Sequence, residues 1–200
     1  ELIGGRDDLF IEYITLHNMT GQYEKAFDLM QGRRFHPWEG GEGKITAQYT
    51  LALVQMAKEA LAQREAKKAE QYLRKALVYP ENLGEGKLEG TKDNHIYYHL
   101  GLALSMQGKD EEAAEYFAAA AVGTDEPAGM MYYNDQPADM IYYQGLARLK
   151  QGRETEAKAR FYRLIDYGEK HLWDEVKIEY FAVSLPEFQI FNEDYTVRNR

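Results

Sequence analysis

The sequence predicts an all-α protein made of stacked helix pairs, and three observations carry that expectation. Ala26, Ala69, Ala113 and Ala157 recur at intervals of 43, 44 and 44 residues, each in the same local pattern. A turn glycine precedes three of them (Gly21, Gly108 and Gly152), and Arg64 holds the corresponding place before Ala69. The residues between successive units, 33–43, 80–93 and 122–137, are rich in Gly, Pro, Asn, Asp and Glu and read as loops. A period of a few tens of residues is the signature of a repeat stack, in which each unit buries its apolar face only against its neighbours.

The units follow in order. The first, about residues 7–37, is the weakest, with Phe10, Tyr13, Gly21, Ala26, Met30 and Pro37. The second, 44–80, offers Leu53, Met56, Ala57, Ala69, Leu73, Ala76 and Pro80. The third, 94–122, is the clearest. Tyr97, Leu100, Gly101 and Leu104 share a helical face, with Tyr97 expected in the core; Gly108 then ends that helix, and Ala113, Phe117 and Ala120 mark the next. The fourth, 138–168, repeats this with Ile141, Gly145, Gly152, Ala157, Phe161 and Leu164. In the tail, 172–200, Asp174 is placed to cap a helix reaching Ser184 before Pro186. Val176, Ile178 and Tyr180 alternate there, which also suits a strand; the repeat context favours helix.

The pattern of aromatic, Leu-Gly, turn Gly, then Ala-x3-Phe resembles the tetratricopeptide repeat over about residues 7–168. The resemblance implies a right-handed α-solenoid of about four repeats with a helical tail. Small residues such as Gly101 and Ala113 would let the two helices of a pair approach closely, while large ones fill the layers between pairs. The departure is length, because tetratricopeptide units run 34 residues. The surplus of about ten falls each time between one pair and the next, so three long loops should line one edge.

The formal charge of -9, from 33 acidic and 24 basic residues, argues against nucleic acid or an anionic membrane as partner. No apolar run is long enough to span a bilayer. The absence of cysteine removes any disulfide framework or thiolate site and leans towards the cytoplasm. The start at Glu1, with no signal peptide, reads as a piece of a longer protein.

In the tetratricopeptide frame, Tyr98 and Tyr142 fall where such repeats line a concave groove. Asn18, Lys58, His95, Met106, Asp139 and Lys150 complete a polar and aromatic set suited to peptide or sugar recognition. Tyr-Tyr pairs also occur at 97–98, 132–133 and 142–143, and ordinary packing accounts for any single tyrosine.

A second candidate is the loop edge. Gly41-Glu42-Gly43-Lys44 and Gly84-Glu85-Gly86-Lys87 stand one repeat apart, with Glu39 and Glu81 flanking them. They read either as carboxylates facing one ligand or as turns that launch helices, with Glu near the positive helix end. Neither is a phosphate-binding loop, since Ile45 and Leu88 stand where Ser or Thr is required. Trp38, within Phe35-His36-Pro37-Trp38, either lids a ligand or anchors its loop, and packing is the favoured reading.

His95 and His99 have the i,i+4 spacing of a zinc pair, with Asp93 close by, but no third ligand completes a motif, so no metal or cofactor is expected. No nucleophile–base arrangement is readable, and no enzymatic activity is expected.

Longer stretches are more specific: FHPWEGGEGK at 35–44, PENLGEGK at 80–87, MYYNDQPADM at 131–140 and YFAVSLP at 180–186. Together they resemble the C-terminal repeat region of large bacterial proteins whose N-terminal part is a β-sandwich-type domain of unknown function, one suspected of handling carbohydrate. That resemblance supplies no catalytic residue. It implies a scaffold binding a peptide, a partner protein or the parent's own upstream domain. The competing expectation is a carbohydrate-binding or glycosidase-assisting module using the acidic loops with Tyr and Trp stacking.

Overall fold

A computed structural model of the chain describes residues 2–127 and 135–174. The expected tail helix from Asp174 to Ser184, and the Tyr132–Tyr133 pair, lie outside the described residues. Within them the fold is all-helical. A short α1 (Leu2–Gly5) leads into four helix pairs: α2 (Asp7–Met19) with α3 (Tyr23–Gln31), α4 (Lys44–Ala62) with α5 (Ala66–Ala76), α6 (Asn94–Ser105) with α7 (Asp110–Ala120), and α8 (Asp139–Lys150) with α9 (Glu154–His171). The first helix of each later pair packs against both helices of the pair before it.

The four turns inside the pairs share one geometry. Gly21, Arg64, Gly108 and Gly152 adopt φ of 75°, 61°, 73° and 74°. The residues that follow, Gln22, Glu65, Lys109 and Arg153, sit at ψ of 56°, 58°, 60° and 62°. The left-handed residue turns the next N–H back onto the ending helix. Gln22 donates to His17 O at 2.8 Å, Glu65 to Ala60 O at 2.8 Å, Lys109 to Leu104 O at 3.0 Å and Arg153 to Arg148 O at 2.9 Å. The carbonyls of these same four residues then accept from Ala26, Ala69, Ala113 and Ala157 at 3.0–3.1 Å. The recurring alanines thus stand in the first turn of each second helix, buried where the two helices meet.

Beyond the turn the pairs interlock by exchanging volume. A Cβ on Gly101 would lie 2.6 Å from the Phe117 ring, and one on Gly145 would collide with Phe161. One period earlier the same two positions hold Ala57 and Leu73, and one earlier still Ile14 and Met30, all fully buried. Tyr97 departs from its expected core position. Ile96 is the residue fully buried there, and Tyr97 is half-buried, against Tyr116 and the seam formed by Ala120, Ala121 and Ala147. An i+1 choice on a helix turns the side chain by about 100°, and the wider aromatic suits the seam better than the interior.

Polar struts join successive pairs. Glu70 on α5 accepts from Arg74 at 2.8 Å, Gln107 at 2.7 Å and Lys109 at 3.1 Å. Arg74 reaches Glu112 at 2.6 Å and the Tyr116 hydroxyl at 3.0 Å on α7. Asn18 is a strut as well.

Two substitutions test this account. Arg64→Gly relieves a left-handed conformation that a side chain disfavours by about 1 kcal/mol, and should raise the melting temperature by a few degrees. Gly101→Ala forces the Phe117 ring aside and should cost about 2 kcal/mol in denaturant unfolding.

Candidate functional site

Helical spacing places residues i, i+3 and i+4 on one face. On α6 that set is His95, Tyr98 and His99; on α8, 44 residues later, it is Asp139, Tyr142 and Tyr143. Stacking of α8 on α6 joins the two sets into a continuous ring cluster. Tyr143 lies at its centre, with ring centroids 5.9 Å from His95, 6.1 Å from Tyr98, 5.7 Å from His99 and 5.5 Å from Tyr142. Phe117 supports Tyr98 from beneath at 6.0 Å, and Phe161 supports Tyr142 at 5.8 Å. These two phenylalanines reach the face only because Gly101 and Gly145 leave room for them.

Both histidines are held neutral. Burial, with His99 and Lys87 adding repulsion, lowers His95 from the ordinary 6.5 to about 4. Burial also lowers His99, against the backbone hydrogen bond and with help from Lys58. His99 Nδ1–H donates to His95 O at 2.7 Å, which fixes its tautomer and leaves Nε2 as an acceptor. His95 Nδ1 is buried with no hydrogen-bond partner. Burial raises the Tyr98 and Tyr143 hydroxyls above their ordinary range. No hydrogen bond between described residues engages the hydroxyls of Tyr98, Tyr142 or Tyr143. The face therefore combines apolar ring surface with polar atoms that no described residue hydrogen-bonds.

The other expected groove residues divide. Tyr142 and Met106 are about half exposed, and Lys58 and Lys150 lie exposed on α4 and at the end of α8. With helical rise, Asp139 and Lys150 stand about 16 Å apart at opposite ends of α8. Asn18 does not line a groove. It is 3 % exposed, and its Nδ2 donates to Gln48 O at 3.1 Å and Gln48 Oε1 at 2.9 Å, tying α2 to α4. Two members of the ring cluster were missing from the expected groove. Sequence spacing alone assigns His99 to half of a metal pair and Tyr143 to a Tyr-Tyr pair. The shared i+4 position, one period apart, is the signal that links them.

The loop edge is built differently from a carboxylate site. The loops 32–43 and 77–93 do meet: Phe35 N–H donates to Asn82 O at 2.7 Å, and Asn82 Nδ2 donates to Met30 O and Arg33 O at 2.8 and 2.9 Å. Glu85, however, spends its carboxylate on Gly43 N–H at 2.8 Å, at the positive end of α4. Glu42 accepts from Gly40 N–H at 2.8 Å within its own turn. Glu39 and Glu81 are exposed on the loops, Glu81 opening a 3-10 turn, Glu81–Leu83. Trp38 folds over Gly41, which has no room for a Cβ, and packs on the core as a half-buried anchor. The two Gly-Glu-Gly-Lys copies are not structural copies: Lys44 begins α4, whereas Lys87 stands seven residues before α6. Lys87 instead pairs with Asp93 at 2.8 Å and lies over the Tyr79 ring, so Asp93 is committed away from the histidines.

Among the described residues, no group of three or more His, Asp or Glu side chains is placed to hold a metal, and no helix is long and apolar enough to cross a membrane. No known family model matches the chain, and no solved structure matches it.

The neutral histidines set a pH dependence. Because the folded pKa of His95 lies below the unfolded value, its stabilising contribution is complete above pH 6.5 and is lost as pH falls towards 4. The loss should be on the order of 3 kcal/mol. In urea titrations across this window, His95→Gln should flatten the acid limb.

Proposed function

We propose that the chain is a non-catalytic interaction scaffold of the tetratricopeptide kind, with right-handed stacking of its pairs, and that the α6–α8 face binds an extended peptide segment. That segment belongs to a partner protein or to the parent's own upstream domain. The observation that carries this reading is the ring cluster itself. Three tyrosine hydroxyls and two neutral imidazoles surround apolar ring faces, and this is the mixture a main chain with side chains needs from its receptor. Tyrosine supplies contact area with little loss of side-chain entropy. Lys58 at one side and Asp139 at the other give the face a dipole, which suits the amide groups of an extended chain.

The carbohydrate reading draws less support. Its loop carboxylates include Glu42 and Glu85, both engaged by backbone N–H groups, and its aromatic Trp38 anchors a loop.

Selection from a phage-displayed library of random peptides tests the reading. Peptides enriched on the wild-type chain should lose affinity by about tenfold or more on Tyr98→Ala or Tyr142→Ala, the scale of an interface anchor. Binders indifferent to both substitutions, or no enrichment, would remove the support for a peptide site on this face.

A further inference from the structure

We infer that the outer side of the α8–α9 pair is a docking surface, and that its occupant is residues 175–200 of the same chain. Each earlier pair shows which positions face its successor. Asn18 bonds Gln48 on α4; Arg74 bonds Glu112 and Tyr116 on α7; Ala121 is buried in a cluster with Ala147 of α8. The repeat period carries these three positions to Leu149, Tyr162 and Ile165 on the fourth pair. All three are large and apolar or aromatic, and they are 42 %, 68 % and 53 % exposed. The fourth pair thus presents ring and aliphatic surface on the side by which earlier pairs meet their successors: Asn18 and Ala121, the counterparts of Leu149 and Ile165, are buried there, and Arg74, the counterpart of Tyr162, reaches across from an exposed position.

The occupant follows from what lies next in the chain. Residues 175–200 begin four residues after α9 ends, so they reach this surface without a long connection. Val176, Tyr180 and Val183 are spaced as one apolar helical stripe, and Phe188, Ile190 and Phe191 add apolar residues further on. The first two connections between pairs set the precedent: each buries a large apolar residue, Phe35 in one and Leu83 in the other. Covering three exposed apolar side chains is favourable by the ordinary hydrophobic driving force.

The chain has no cysteine, which makes the test direct. Ile165→Cys is introduced into the full chain, and its reaction with a thiol reagent is timed with and without Val176→Ser, Tyr180→Ser and Val183→Ser. Circular dichroism confirms that both proteins are helical. Docking predicts that the thiol reacts about tenfold more slowly when the apolar stripe is intact, as expected of a locally protected site. Equal rates in the two proteins would overturn the inference. Protection that grows with protein concentration would also overturn it, in favour of a second copy on this surface.

Discussion

A single backbone device, the left-handed turn between the helices of each pair, sets the geometry on which the other contacts depend. It closes one helix with a reversed hydrogen bond and presents a carbonyl that starts the next, four times over at Gly21, Arg64, Gly108 and Gly152. Because the turn is so short, the two helices must approach closely where they begin to run side by side. Only a methyl group fits there, hence Ala26, Ala69, Ala113 and Ala157. A larger side chain at any of them would push the pair apart at its tightest point. Arg64 shows that the geometry is imposed by the fold and not merely by glycine's freedom, since an ordinary residue is held in the same conformation.

That constraint reaches the candidate site through a second exchange of volume. In the third and fourth pairs the first helix gives up its side chain entirely, at Gly101 and Gly145, and the second helix sends Phe117 and Phe161 through the gap. Their rings emerge beneath Tyr98 and Tyr142. In the first two pairs the same register holds Ile14 with Met30 and Ala57 with Leu73, which fill the interior without a second phenylalanine. The aromatic face is therefore confined to the α6–α8 seam. Its location follows from which pairs use the glycine–phenylalanine solution.

Much of this was legible in the sequence because it rests on periodic, local chemistry. Each turn position lies five residues before its alanine, each glycine stands 16 residues before its phenylalanine, and the alanines themselves repeat every 43 or 44 residues. What was not legible depends on contacts between units. Asn18 looked like a groove residue until α4 supplied Gln48 across the seam. Glu42 and Glu85 looked equivalent because their flanking residues match, yet one closes its own turn and the other caps a neighbouring helix. Tyr97 and Ile96 differ by one position, and the choice between them was decided by the Ala120–Ala121–Ala147 seam that only stacking creates. The one period the loops carry, Gly-Glu-Gly-Lys, does not mark equivalent structures, so their pairing through Asn82 could not be inferred from spacing.

The chemistry of the face bears on what kind of peptide it would take on the proposed reading. A clamp for a charged terminus needs several like charges converging, and here Lys58 and Lys150 stand on different helices with Asp139 at the far end of α8. The polar groups at the centre are neutral: imidazoles held uncharged by burial, and phenols pushed further from ionisation. Neutral donors and acceptors match neutral partners, because pairing them costs no ion desolvation. His99, with its proton fixed on Nδ1 by the His95 carbonyl, offers an acceptor, and each tyrosine hydroxyl can both donate and accept. Backbone amides carry this same complement of groups at every residue. The face is consequently better matched to main chain, and to apolar side chains lying on the rings, than to a charged anchor.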